Sequence, residues 1–96
     1  MKDRIRKNEE KLDRIIAVVA SLEKALCDFE NIKKDVIDIN KYYGSNDWYN
    51  DKNLLEQGAL VDVKAGVLSE DAVWNVDESI RELIERMVDI SNYYKK

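Results

Sequence analysis

The side chains best equipped for recognition lie near the middle of the chain. Tyr42, Tyr43, Trp48 and Tyr49 place four aromatics within eight residues, and Trp74 follows some way beyond them. Tyrosine and tryptophan join a large apolar face to one hydrogen-bonding tip, so such a cluster suits two tasks. It can plug the end of a helical bundle, or it can offer anchors to another protein, where these residue types carry much of the binding energy. Catalytic chemistry is poorly supplied. The 96 residues include no histidine and one cysteine, so Ser/His triads, Cys/His dyads, Cys/His zinc sites and a disulfide framework cannot be built within one chain. Cys27 stands beside Leu26 with no histidine or lysine-rich niche to activate its thiol, and reads as a small semi-buried filler next to an apolar seam. Asp47, Asn50, Asp51 and Asn53 invite comparison with a calcium loop, but Tyr49 takes a required ligand position and the central glycine is missing. Carboxylate pairs such as Glu9/Glu10 and Glu82/Glu85 have no foreseeable water-poor cleft. Phosphate-binding glycine loops are absent. The expectation is a chain with no catalytic, cofactor or metal residues.

Charge narrows the choice of partner. Sixteen Lys+Arg against twenty Asp+Glu give a net charge of -4, which suits solubility and lacks the concentrated positive field that a phosphate backbone requires. Nucleic acid is not an expected partner. The longest apolar run, residues 15–20, is too short for a membrane span or the core of a secretory signal. A cytoplasmic location also agrees with an unpaired cysteine.

The elements that would hold the aromatics are helical. With no proline and three glycines, the composition favours long helices over strands or disorder. Nothing interrupts residues 4–43, where Leu12, Ile15, Val19, Leu22, Leu26 and Phe29 recur at alternating steps of three and four. The stripe continues through Ile32, Val36, Ile39 and Tyr43, with two three-residue steps falling together after Leu26, so the seam moves to a neighbouring face. Gly44 follows as the helix-ending glycine. Residues 45–68 form a connector in which Ser45 or Asp47 caps a short helix ending at Gly58, and residues 59–67 read as an extended segment packed on the core. Gly66 is a further turn residue and, with Gly44 and Ser69, a structural cap. Ser69 then caps a helix over residues 70–94, with Glu70 and Asp71 in its first turn and Leu68 placed to staple onto Val73. Capping, rather than metal or anion binding, explains the Ser69-Glu70-Asp71 trio.

Two long helices joined by a compact connector predict an all-α single domain over residues 1–96, built as an antiparallel hairpin. Their lengths differ, roughly 60 Å against roughly 38 Å at 1.5 Å per residue. The second helix therefore cannot cover the amino-terminal third of the first, where Leu12, Ile15, Ile16, Val18 and Val19 form a stripe wider than one neighbour needs. A second copy of the chain completing a bundle is the expected cover.

Tyr42-Tyr43-Gly44-Ser45, Trp48, Asp51, Gly58 and the run Gly66-Val67-Leu68-Ser69-Glu70-Asp71-Ala72-Val73 resemble a small bacterial family known as domain of unknown function 4298. The resemblance implies a cytoplasmic bacterial helical domain and no particular activity. Together with the residue reading, it leads to a non-catalytic protein–protein interaction module. The other reading is an acidic inhibitor or antitoxin-like protein that blocks a target protein, including one that imitates nucleic acid with carboxylates of its last helix.

Overall fold

The computed structural model describes residues 1–95. It is all-α: α1 (Lys2–Asn31), α2 (Lys33–Tyr42), α3 (Asn46–Glu56), a single 3-10 turn (Gly66–Leu68) and α4 (Glu70–Tyr94), with no strand among the described residues. The chain divides into two compact units, Met1–Val36 and the part from Ile37 onward.

The uninterrupted helix expected over residues 4–43 is two helices. Ile32 leaves helical geometry (φ -97°, ψ 9°); its N–H donates to the Phe29 carbonyl at 3.2 Å, and its own carbonyl accepts from Val36 N at 3.0 Å. One tightened turn therefore separates α1 from α2. Asp28 and Glu30 lie in the last turn of α1, which holds no basic residue of its own; Lys24 pairs with Asp28 at 2.7 Å and leaves Glu30 to oppose the helix dipole. Asn31 and the β-branched Ile32 add poor helix propensity at the same place. The break falls where the apolar seam changes face.

In the first unit α1 contains no buried residue. Leu12, Ile15, Ile16, Val18 and Val19 all lie on it and are exposed, Val18 the most at 66%. Cys27 is exposed as well, contrary to its expected semi-buried place. It belongs to a face beside the seam, so its neighbours on the same helix cannot enclose it.

The second unit holds the buried apolar side chains Trp48, Leu68 and Val73, exposed by 3%, 5% and 8%. Local capping brings them together. Gly44, at φ 78°, turns the chain out of α2, and the Tyr42 carbonyl then accepts from both Ser45 N (3.0 Å) and Ser45 Oγ (2.6 Å). The same Ser45 Oγ accepts from Trp48 N at 3.2 Å, capping α3. One serine thus closes one helix and opens the next. At the far end of α3, Gly58 N donates to Leu55 O and Ala59 N to Leu54 O, both at 3.0 Å, around a left-handed Gly58 (φ 74°). This is the paired bonding of a Schellman motif. Ser69 Oγ accepts from Asp71 N at 3.3 Å to start α4, and Leu68 and Val73, the two ends of the staple, are both buried.

Two details differ from expectation. Gly66, expected as a structural cap, opens the 3-10 turn, and its carbonyl accepts from Ser69 N at 3.1 Å. The segment before it is less packed than its alternation suggests: Val61 and Val63 are exposed, and Asp62 adopts φ 64°. An aspartate tolerates that conformation better than the β-branched valines on either side, and with no neighbouring strand the segment has no sheet face to cover.

The two glycines separate cleanly by substitution. Open space surrounds the position of an added Cβ at Gly58 and at Gly66, so only backbone conformation distinguishes them. Gly58→Ala is expected to cost about 1–2 kcal/mol, whereas Gly66→Ala is neutral or stabilising by up to about 1 kcal/mol. Urea denaturation followed by circular dichroism measures both.

Candidate functional site

The aromatic cluster of the second unit is built around Trp48, on the first turn of α3. Its indole Nε1–H donates to the Val67 carbonyl at 3.0 Å, which fixes the connector to α3. Tyr43 lies 5.1 Å from the Trp48 ring, centroid to centroid, and tilted by 59°. Tyr49 meets it edge-on at 5.0 Å and 83°. Both are favourable arrangements of ring quadrupoles. The Lys52 ammonium stands 5.1 Å from the ring centroid, within range of a cation–π attraction.

Three polar contacts enclose this centre. The Tyr42 hydroxyl donates to Asp51 Oδ2 at 2.5 Å, tying α2 to α3. The Tyr43 hydroxyl donates to the Glu70 carbonyl at 2.7 Å, tying the turn after α2 to the first residue of α4. Lys52 Nζ and Glu70 Oε1 form an ion pair at 2.6 Å between α3 and α4.

These contacts shift the groups that make them. Hydrogen bonding to Asp51 pushes the Tyr42 phenol up to about 12. Its contribution is fully present below the usual tyrosine value and is lost as pH rises through the shifted one. The bond to Glu70 raises Lys52, and the bond to Lys52 lowers Glu70. The carboxylate's contribution is therefore lost as pH falls through its lowered value, and the ammonium's as pH rises through its raised one.

The five candidate anchors separate by environment. Trp48 is buried and acts as the plug, not as a surface anchor, because its ring is the largest apolar body available to close this small core. Tyr42 and Tyr43 are half-buried, with their hydroxyls engaged inside the unit. Tyr49 and Trp74 are exposed, by 56% and 63%. A cleft of about 220 Å³ is lined by Tyr43, Gly44, Trp48, Tyr49 and Glu70. A second hollow of about 370 Å³ lies between Asn40, Tyr43, Val73, Trp74, Asp77 and Arg81, and Arg81 donates to Asp77 along its α4 wall at 2.8 Å. Tyr43 forms a wall of both. Among the described residues no group of three or more His, Cys, Asp or Glu could hold a metal ion, and no helix is long and apolar enough to cross a membrane.

Sequence reasoning did not foresee Lys52, the residue that links the Trp48 ring to Glu70. A usable signal was present: Lys52 follows Trp48 by four residues, and that spacing puts both on one helix face. The bonds from Trp48 to Val67 and from Tyr42 to Asp51 join residues with no periodic relation and had no such signal.

A helical domain closed by an aromatic plug, with exposed aromatics at its rim, describes a class of small all-α proteins. Residues 5–90 match the family described as Domain of unknown function (DUF4298), and the chain belongs to it. Neither a curated protein nor a solved structure matches.

Two measurements follow from this geometry. Ultraviolet titration should reveal a tyrosine ionising near 12, and Asp51→Asn should bring that step down. Trp48→Ala should cost about 3–5 kcal/mol, whereas Trp48→Phe, which keeps an aromatic ring and loses the bond to Val67, should cost distinctly less. Equal losses from the two substitutions would show that packing around the ring is not what closes the core.

Proposed function

We propose that this chain is a non-catalytic protein–protein interaction module of the bacterial cytoplasm. It self-associates through α1 and offers Tyr49 and Trp74 to another protein. The observation that carries the reading is the exposure of those two aromatics beside a buried Trp48. Large aromatics on a firmly anchored frame lose little conformational freedom on binding, and they are enriched among the residues that dominate interfaces. Self-association draws its support from α1, which presents Leu12, Ile15, Ile16, Val18 and Val19 with none buried.

The acidic, nucleic-acid-mimicking inhibitor takes second place. Glu70 and Asp77 of α4 are already paired with Lys52 and Arg81, which reduces the free negative field such mimicry requires.

Affinity capture from the native host compares the two readings. The aromatic reading predicts a salt-resistant complex weakened about tenfold or more by Trp74→Ala. Capture that survives Trp74→Ala combined with Tyr49→Ala, or that added salt releases, contradicts it. Sedimentation equilibrium tests the other half: the full chain should be dimeric at micromolar concentration, and Val18→Glu should make it monomeric. A wild-type monomer refutes self-association.

A further inference from the structure

The apolar face of α1 carries a pattern that fixes the direction of a self-pair. We infer that two copies associate through α1 in an antiparallel, two-fold arrangement centred on Ala17. This rests on the self-association proposed above and adds its geometry.

The seam residues Ile5, Leu12, Ile15, Val19, Leu22 and Phe29 are distributed symmetrically about Ala17, and the remaining seam residue, Leu26, falls opposite Asn8; each apolar member is exposed. A two-fold axis there sets Leu12 of one copy against Leu22 of the other, Ile15 against Val19, and Ile5 against Phe29. Every one of these layers is apolar on both sides. The one polar seam residue at the amino end, Asn8, already donates its side-chain amide to the Arg4 carbonyl at 2.9 Å, so that group does not need a partner in the other copy.

The residues flanking the seam decide between directions. In an antiparallel pair, flanking positions on the same side of the seam meet their own kind. Ile16 then faces Ile16 of the other copy, and Val18 faces Val18, both at the centre. A parallel pair instead sets Ile16 against Lys11 and Val18 against Glu23, so both apolar groups meet charges. The Arg4–Glu9 contacts that a parallel pair gains at an exposed flank contribute little.

Charge favours the same direction. Residues 1–14 hold six basic and four acidic side chains, whereas residues 20–31 hold Lys24 against Glu23, Asp28 and Glu30. The antiparallel pair lays the positive end of each helix on the negative end of the other and brings Lys2 near Glu30. The parallel pair superposes like on like. The antiparallel pair also contains one adverse contact, Glu9 facing Glu23, and this makes it testable.

A nitroxide on the native, exposed Cys27 of the full chain reads the direction by dipolar spectroscopy. With the axis at Ala17, the two labels stand twenty residues apart along the pair, roughly 30 Å or more. A parallel pair, with axes 8–10 Å apart, holds them within about 20 Å. A short distance in a sample of dimeric mass overturns the antiparallel geometry and leaves self-association standing. Absence of dipolar coupling together with a monomeric mass overturns self-association itself. Glu23→Lys supplies a second reading: it should tighten the dimer several-fold at low ionic strength by turning the Glu9 contact attractive, and unchanged or weaker association contradicts the register.

Discussion

The second unit depends on the indole of Trp48 being buried with its N–H bonded to the Val67 carbonyl. Burying the ring removes the largest apolar surface in the unit from water, and the bond keeps its polar tip from being stranded. The carbonyl it reaches belongs to the 3-10 turn, adjacent to buried Leu68 and two residues before the cap of α4. One side chain thus joins α3 to the start of α4. The bonds from Tyr42 to Asp51, from Tyr43 to the Glu70 carbonyl and from Lys52 to the Glu70 side chain surround that junction and hold the same elements in place.

The junction consumes some of the aromatics and leaves others exposed. Trp48 is used up as the plug, and Tyr42 and Tyr43 commit their hydroxyls to internal acceptors. Tyr49 touches the plug with one edge and remains largely exposed, and Trp74, one residue beyond buried Val73 on α4, faces outward. The single cluster of the sequence is therefore a rigid base with an exposed rim. The other apolar resource, the seam of α1, lies in the first unit and is unburied. The charged groups beside the two hollows are paired with one another, Lys52 with Glu70 and Arg81 with Asp77.

Much of this was legible in the residues, for local reasons. The Ser45 and Ser69 caps, the left-handed Gly44 and Gly58, and the extent of α4 all follow from short-range rules linking side-chain type to backbone need. The break at Ile32 was visible as a change of seam register, but a register change is compatible with a continuous helix, and only the acidic last turn of α1 weighs against one. Gly66 was expected as a cap, and the 3-10 turn it opens leaves no pattern in the residue types. Asp62 was missed because a single left-handed aspartate leaves no pattern. The division of the aromatic cluster into buried and exposed members depended on the partners that Trp48 finds at Val67 and Lys52, and the first of these is a carbonyl whose position is set by the connector's path.

Hydrogen exchange at the two indole N–H groups, observed by nuclear magnetic resonance, tests the central role of Trp48 most directly. Trp74 serves as the internal control in the same molecule. The Trp48 signal, assigned by its persistence in Trp74→Phe, should exchange roughly a hundredfold or more slowly than that of exposed Trp74. Equal and rapid exchange at both would mean that the Val67 bond does not persist in solution, and the plug on which the second unit is built would be absent.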